Sequence, residues 1–417
     1  MGNEPRQNVK WVEGIRGLAS FIVVVTHLCR AWDYTLWFPR DNEHGSARFL
    51  QLPFVRLPWQ GRIGVTMFAF LTGYVCALKP LRLARAGNTS AALTTVAKSA
   101  FRRPPRLILP ATFAMLIAWT LAQMDGFKVS NRCDSGWLRY SSPDVGTLEE
   151  EIPRFFHNFQ TVWLNGRMEY DDHQWALLPL LKGAFMVYLT LCVTIFMKFQ
   201  YRLILYTTLY TWYWFDPTVD TETFACQMFY GMFLCDLGNH PAWRAFVDRW
   251  PKTRRAVQVG LIIVGIYVAG YPGEHAEWSP WSQQLLETGN LISLQIRTSE
   301  SDGIFSNRLF MWIGKNSFAV YLTHGTLLRV VLARMIYGWS GEPWVVDQND
   351  KGEPVYHWLP RSGHLAFAIA IPTWFALVYT TAYLWTTYVD TWCARATAYL
   401  EERTFESEDE KSAMQFV

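Results

Sequence analysis

Long apolar stretches alternate with polar loops along the chain, and several approach the ~20 residues that a helix needs to cross hydrocarbon. Three stretches give weaker signals, because 201–216 and 223–239 are short and 61–79 is rich in glycine. The pattern predicts nine membrane spans, and ten fits equally well. The expected spans are 12–32, 61–79, 106–124, 175–197, 201–216, 223–239, 256–271, 315–338 and 364–389.

No internal repeat and no pair of inverted halves divides these spans. We therefore predict an all-α fold, a polytopic transmembrane helix bundle in one domain over residues 1–400, followed by a polar tail at 401–417. The segment 147–164 is amphipathic instead of uniformly apolar, which predicts a surface or re-entrant helix.

The composition agrees with a membrane protein that has sizeable polar loops. Aromatic residues make up 16% of the chain, which suits interfacial belts, while the mean hydropathy is only +0.04. The net charge of +3 is too small to indicate nucleic-acid binding, and the spans exclude a soluble enzyme. The seven cysteines lie mostly in apolar stretches and form neither a disulfide framework nor a zinc pattern. We expect a lipid bilayer around the protein and no bound metal or cofactor.

The loop charges predict an orientation. The segment 79–106 holds seven basic residues and no acidic one, and 240–255 holds five basic residues against one aspartate. Both are expected in the cytosol, together with the N-terminus, whereas the acidic segment 125–174 faces the opposite side. The first apolar stretch lacks a cleavage site, so we expect a retained anchor in the endoplasmic reticulum or another endomembrane.

Two ionisable residues lie in the first predicted span. Ionisable side chains are costly in a bilayer and mark functional sites, and a helix would separate Arg16 from His27 by roughly 16 Å. Imidazole accepts and returns protons near neutral pH, which makes His27 a candidate general base. The alternative, that Arg16 extends to the interface and His27 hydrogen-bonds a neighbouring helix, stays open.

A cluster of arginines precedes the third predicted span. The run 101–106 contains Arg102, Arg103 and Arg106 around a pair of prolines. Proline is tolerated in a first helical turn, so we expect a helix to begin here, with free N–H groups and arginines available to phosphates. A plain positive-inside anchor explains the same residues.

A polar stripe is expected in the span that begins at residue 315. Ser317, Tyr321 and His324 follow the i, i+4, i+7 spacing of one helix face and are candidates for lining a substrate cavity. Hydrogen bonds between packed helices are the alternative.

Another set lies at the start of the fourth predicted span. The segment 169–175 combines three carboxylates with His173 and Trp175, and is interpreted chiefly as a solvated loop. Lys182, within the span, has more weight as a functional candidate because it is a charge in the bilayer.

Four elements, in this order, resemble the acyltransferase-3 family of integral membrane O-acyltransferases. They are Glu13-Gly-Ile-Arg16-Gly-Leu-Ala19 followed by His27; Gly61 to Tyr74, with Thr72-Gly73-Tyr74 where the family has Ser-Gly-Tyr or Ser-Gly-Phe; Arg103-Pro-Pro-Arg106; and Trp312 to Ser317 through Tyr321-Leu-Thr-His324. The matches extend over most of the chain, and its long loops and aromatic content resemble the fungal branch.

The resemblance implies a membrane-embedded enzyme that moves an acyl group, commonly acetyl, from acyl-CoA to a hydroxyl. His27 would be the catalytic histidine, and Arg16, Arg103 and Arg106 the arginines that bind acyl-CoA. The acceptor would be a small lipophilic molecule of secondary metabolism or a glycan. Trp175, Lys182, Ser317, Tyr321 and His324 are the expected substrate-pocket residues.

The chain departs from the family at one position. The family carries Glu five residues after a Trp, whereas Trp175 is followed by Leu180 at that spacing. Asp171, Asp172 or Glu169 would have to replace that carboxylate, and we place Asp172 beside His27 as the second catalytic residue. Three alternatives stay open: a catalytically impaired family member, a transporter that uses the Arg, His and Lys path, and a metal-dependent glycosyltransferase built on the acidic loop.

Overall fold

The computed structural model describes residues 10–288, 308–349 and 351–405, which are mainly helical. The helices are α1 (Lys10–Trp32), α2 (Gly61–Arg85), α3 (Thr89–Gln123), α4 (Lys128–Asn131), α5 (Gly136–Tyr140), α6 (Leu148–Asn165), α7 (Leu177–Thr194), α8 (Phe199–Trp214), α9 (Pro217–Thr223), α10 (Ala225–Gly238), α11 (Pro241–Asp248), α12 (Pro251–Ala269), α13 (Pro280–Thr288), α14 (Arg308–Lys315), α15 (Ser317–Leu327), α16 (Ala333–Tyr337) and α17 (His364–Thr404). Short 3₁₀ turns cover Tyr34–Trp37, Phe49–Gln51, Leu57–Trp59, Asp172–Ala176 and Ala276–Trp278, a π-helical turn covers Leu328–Leu332, and the strands are β1 (Val345–Gln348) and β2 (Pro354–His357).

Six of the described helical segments are long and apolar enough to cross a membrane, which confirms a multi-pass helical membrane protein. They are Lys10–Trp32, Gly61–Arg85, Thr89–Gln123, Asp172–Thr194, Ser317–Tyr337 and His364–Thr404. The other three predicted spans fall on α8, α10 and α12, which are helices of 16, 14 and 19 residues. The total of nine or ten stays a prediction, and part of the interval for a tenth span lies outside the described residues.

The prediction that a helix begins beside the paired prolines was wrong. Helix α3 begins at Thr89, where the side chain of Asn88 accepts from the N–H of Ala91 at 3.0 Å, and it continues through Pro104 and Pro105. Its first turns are rich in alanine and other residues that tolerate helical geometry, so the helix forms before the prolines are reached. The arginines at 102–106 therefore lie within a helix and not at its N-terminus.

Glycines allow α1 to pack very closely against α14. A Cβ on Gly314 would lie 2.6 Å from the carbonyl carbon of Glu13, and one on Gly17 would lie 3.0 Å from the amide nitrogen of Gly314. Small residues let two helix backbones approach in this way. Since α14 leads directly into α15, this contact places α15 beside the first helix.

One end of the bundle is held by buried ion pairs and is called the basic end. There Asp236 of α10 accepts from Arg85 of α2 and from Arg202 of α8, each at 2.6 Å. At the same end, Glu401 near the end of α17 binds Arg102 of α3. These contacts bring the start of α8 to the ends of α2 and α10, and the first half of α3 to the end of α17.

The opposite end, called the loop end, carries most of the irregular structure. The antiparallel strands β1 and β2 pair Val345 with His357 and are exposed. Helix α6 occupies the segment predicted to be amphipathic, begins with a capping box between Thr147 and Glu150, and ends at Gly166 with φ 66°. The chain then turns through residues 166–176 into α7.

Candidate active site

Three histidines from distant parts of the chain meet inside the bundle. His27 comes from α1, His173 from the 3₁₀ turn before α7, and His324 from α15. His27 Nδ1 lies 2.8 Å from His324 Nε2, and the ring centroid of His173 lies 4.0 Å from that of His27 and 4.8 Å from that of His324. His173 and His324 are buried, whereas His27 is half-buried and is therefore the member that substrates can reach most easily.

The hydrogen bonds of His324 assign the proton positions. Its Nδ1 lies 2.8 Å from the carbonyl oxygen of Val320 and 3.0 Å from that of Tyr321, so this nitrogen carries the proton and donates. In a neutral ring Nε2 then accepts, and its partner at 2.8 Å, His27 Nδ1, must be the donor. These partners assign the remaining lone pair to Nε2 of His27, which is the position that a general base requires.

His173 is oriented by a different partner. Its Nδ1 lies 2.5 Å from Oδ1 of Asp171, and both side chains are buried. A carboxylate accepts, so Nδ1 carries the proton and Nε2 of His173 also keeps a lone pair. Burial raises the pKa of the Asp171 carboxyl to about 6, although the nearby Arg329 and His324 lower it.

The contact between this pair and α15 requires glycine at position 325. A Cβ there would lie 2.6 Å from Cε1 of His173 and 2.8 Å from Oδ1 of Asp171. One helical turn earlier, the hydroxyl of Tyr321 donates to the backbone carbonyl of His173. Residues 321–325 thus contribute His324 to the cluster and form the surface against which His173 packs.

Helix α6 holds the turn that carries the Asp171–His173 pair. The buried carboxylate of Glu151 accepts from the hydroxyl of Tyr170 at 2.7 Å, from Arg154 at 2.8 Å and from Gln123 at 3.1 Å. Tyr170 is the residue directly before Asp171. The network therefore ties α3 and α6 to the backbone of the histidine turn.

A cavity of about 430 Å³ extends from the basic end toward the histidines. Among the residues that the structure describes, its lining includes six basic side chains and no carboxylate, and at the other extreme it reaches Leu177 and Tyr321. The basic side chains are Arg16, Lys79, Arg102, Arg103, Arg106 and Lys315. Such a cavity favours an elongated anionic ligand, with its charge at the basic end and a neutral part near Tyr321.

A second pocket of about 580 Å³ lies near the other side of the cluster. Its lining includes Trp137, whose ring stacks on that of His27 with centroids 5.4 Å apart, and Arg30, which lies over the same indole at 5.9 Å. Other lining residues are Trp32, Tyr34, Asp134, Tyr140, Asp172 and Arg361. Tyr321 connects the histidine cluster to the first cavity, called the basic cavity, and Trp137 connects it to the second, called the aromatic pocket.

The structure places the predicted site residues in several locations. Ser317 and Tyr321 line the basic cavity, and His324 belongs to the cluster. Asp172 lines the aromatic pocket, while the neighbouring Asp171 is the carboxylate that binds a histidine.

Two predicted pocket residues lie elsewhere. Lys182 pairs with Glu222 at 3.5 Å, and Trp175 is 41% exposed and packs against Phe224. Neither Lys182 nor Trp175 lines the basic cavity or the aromatic pocket. A charge or an indole at a membrane boundary remains accessible on the outer surface of a bundle, and sequence spacing does not reveal which way it faces.

The interpretation of residues 169–175 chiefly as a solvated loop was wrong. Asp171, His173 and Gln174 are all buried. The Asp-Asp-His run was a visible signal, but burial depends on Gly325 and Tyr321, which lie far away in sequence. Sequence reasoning also missed Arg329, which is 1% exposed and lies over the Trp137 indole at 4.8 Å.

The three histidines are also the donor set that a transition metal would use, since ligand atoms of all three lie within 4.8 Å of one another. Zn–N bonds of 2.0–2.1 Å in a tetrahedral site would separate two ligand nitrogens by about 3.3 Å. The distance of 2.8 Å between His27 and His324 is that of a hydrogen bond. The geometry of this pair therefore favours proton transfer over metal binding.

Comparison with known proteins identifies the family of the chain. Residues 9–381 match the acyltransferase-3 family, described as an acyltransferase domain, and the chain belongs to that family. An O-acetyltransferase, PaAT-1 of Phomopsis amygdali, is 24% identical over 380 residues, which cover 78% of this chain and 73% of the relative. No solved structure gives a significant match. The chain is thus an acyltransferase of a type that transfers groups other than aminoacyl groups.

Proposed function

We propose that this member of the acyltransferase-3 family transfers an acyl group, in the first instance acetyl, from acyl-CoA to a hydroxyl of a small lipophilic molecule or a glycan. The observation that carries the proposal is the pair of hydrogen bonds that leaves the lone pair of His27 on Nε2. A neutral, half-buried imidazole between two cavities is suited to remove a proton from a hydroxyl.

The basic cavity is the proposed site for acyl-CoA. Arg103 and Arg106 would bind the phosphates, with Arg16 nearby, and guanidinium groups are well suited to phosphate oxygens. The apolar wall formed by residues such as Val65, Phe68 and Phe318 would accept the extended arm of the donor. The thioester would then lie near Tyr321, on the side from which the histidine cluster is approached.

The aromatic pocket is the proposed site for the acceptor. Trp137 is shared between this pocket and the ring of His27, so an acceptor seated on the indole would bring its hydroxyl close to the base. Arg30 and Asp172 would contribute hydrogen bonds to other polar groups of the acceptor. Asp172, predicted from the sequence as the second catalytic residue, is reassigned to acceptor binding, and the carboxylate that supports the histidines is assigned to Asp171.

In the proposed reaction, His27 Nε2 takes the hydroxyl proton while the oxygen forms a bond to the thioester carbon. The tetrahedral intermediate then expels the CoA thiolate, which takes the proton back from His27 and leaves as the thiol, and the acyl group remains on the acceptor as an ester. Oxyanion stabilisation is the largest contribution in many such reactions. Tyr321 and His324 are poorly suited to donate to the oxyanion because their protons already bind backbone carbonyls, whereas Ser317 lines the cavity.

The same proposal includes an orientation and a location. The basic end would face the cytosol, where acyl-CoA is available and where the positive-inside rule places clustered Lys and Arg. The N-terminus would then be cytosolic, and the loop end would face the lumen of the endoplasmic reticulum or another endomembrane compartment.

The test is CoA release by the purified, detergent-solubilised protein, supplied with acetyl-CoA and a panel of lipophilic alcohols and glycosides. We expect release that depends on an acceptor and that falls by about 10²–10⁴-fold in His27→Ala. The matched control is His157→Ala, because His157 is an exposed histidine of α6. Unchanged transfer by folded His27→Ala protein would refute the role of His27, and acceptor transport into vesicles that contain the reconstituted protein, without CoA release, would indicate a transporter.

A further inference from the structure

We propose that the Asp171–His173 pair positions and electrostatically supports His27, in place of the carboxylate expected at position 180. Both residues act through His27 and are therefore positioning residues. The inference rests on the proposed function, because it assigns them a role in the reaction that His27 performs.

The first argument is the arrangement of the rings. His27 is hydrogen-bonded to His324, and its ring packs against that of His173 with centroids 4.0 Å apart and planes tilted by 57°. Trp137 stacks on His27 and makes an edge contact with His173. The imidazole of His27 is therefore held by rings from three other segments, and His173 is the one with a carboxylate directly behind it.

The second argument is charge. When His27 accepts a proton, the new positive charge lies near two other positive charges, those of Arg30 on α1 and Arg329 on the π-helical turn. His324 is neutral and already accepts the hydrogen bond from Nδ1 of His27, so it does not offset this charge. The carboxylates that face these arginines are Asp171, near Arg329, and Asp172, near Arg329 and Arg30, both on the turn before α7. Because His173 transmits the charge of Asp171 to the ring of His27, loss of the pair would leave the protonated base with less compensation.

The third argument concerns position 180. Leu180 lines the basic cavity from α7 and has no group that can accept a proton. The Asp171–His173 pair precedes the same helix and reaches the cluster from the turn at its start. A carboxylate displaced along the chain, with a histidine as an intermediary, thus supplies the charge that a glutamate on α7 would have supplied.

The close packing against Gly325 fixes the position of the Asp171–His173 pair in the site. The side chains of Asp171 and His173 occupy the space that any larger residue at 325 would need. Tyr321, the residue one turn before, binds the carbonyl of His173 and so holds the same turn. Three separate contacts therefore determine where this imidazole lies: Gly325, Tyr321 and Asp171.

The experiment measures steady-state CoA release by the full-length protein with acetyl-CoA and an accepted alcohol. His173→Gln and Asp171→Asn are expected to lower kcat by about 10²-fold while KM for acetyl-CoA stays within about twofold of wild type. The double variant is expected to be no slower than the slower single variant, because the two residues act as a unit. His157→Gln and Asp347→Asn, at exposed positions, are the matched controls.

Chemical rescue separates a role in the reaction from a role in folding. Imidazole added to His173→Gly is expected to restore part of kcat, and the same addition to His157→Gly should change nothing. Wild-type kcat in folded His173→Gln and Asp171→Asn would overturn the inference. It would also be overturned if both variants lowered kcat, the double variant showed the product of the two effects, and imidazole gave no rescue. If His27→Ala is inactive while both pair variants are fully active, only this inference fails; if the wild type releases no CoA with any acceptor, the proposed function fails first.

Discussion

Gly325→Ala tests the histidine cluster with a single methyl group. The added Cβ would lie 2.6 Å from Cε1 of His173 and 2.8 Å from Oδ1 of Asp171, against an ordinary carbon contact of about 3.5–4.0 Å. His173 and Asp171 would have to move by about 1 Å, or α15 would have to move by a similar amount. A misplacement of about 1 Å in a catalytic arrangement costs about 10²-fold in rate.

The expected cost in stability is smaller. Overpacking of this kind costs about 1–3 kcal/mol, so the variant should fold and unfold at a moderately lower temperature. We expect kcat for CoA release to fall by about 10²-fold, with KM for acetyl-CoA nearly unchanged because the basic cavity is lined by other residues.

The matched control is Gly260→Ala in α12, where an added Cβ meets no atom within 4 Å. Alanine is favoured over glycine in a helix by about 1 kcal/mol, so this variant should be equally active and no less stable. The assay compares kcat, KM and thermal unfolding of both variants with wild type. Wild-type kcat for Gly325→Ala would show that catalysis does not depend on the observed positions of His173 and Asp171.

Three further predictions follow from other contacts. Arg103→Ala should raise KM for acetyl-CoA by about tenfold with little change in kcat, whereas Arg255→Ala, outside the cavity, should have no effect in the same kinetic assay. Glu151→Gln should lower the free energy of unfolding by about 1–3 kcal/mol, measured by thermal or denaturant unfolding, because Tyr170, Arg154 and Gln123 lose a charged acceptor. Prolonged chelation should leave CoA release unchanged, and an activity that disappears on chelation and returns with zinc would contradict the assignment of the cluster to proton transfer.

The helical membrane architecture and the position of His27 in a span were predictable, because the free-energy cost of placing polar groups in a bilayer can be judged from the sequence alone. Apolar stretches near the length of a bilayer have few alternatives to a helix, and an ionisable residue within one needs a reason to be there. The same logic was less successful for Lys182, because a lysine near the end of a span can reach the surface, where it pairs with Glu222. The cost of a charge in the bilayer identifies an unusual residue, but it does not determine whether the side chain faces the interior or the outer surface of the bundle.

The position of His173 beside His27 was not predictable, because it depends on contacts between residues far apart in sequence. His173 is buried against Gly325, which leaves room for it, and Glu151 holds Tyr170 in the same turn. A local pattern of acidic residues is typical of a solvated loop, and nothing within 169–175 distinguishes the buried Asp171 from its neighbour. The paired prolines misled for a similar reason, since the helix was already established from Thr89.

The position of the cluster bears on the order in which the two substrates bind. Acyl-CoA in the basic cavity would approach from the end where α17 binds Arg102 through Glu401, and Phe405 packs on Phe101 at 5.3 Å. The acceptor would approach past Trp137, from the loop end. Neither substrate needs to leave before the other enters, so both can bind in either order. Steady-state kinetics should therefore give intersecting double-reciprocal lines for direct transfer, whereas parallel lines would indicate that an acyl-histidine forms and CoA leaves before the acceptor reacts.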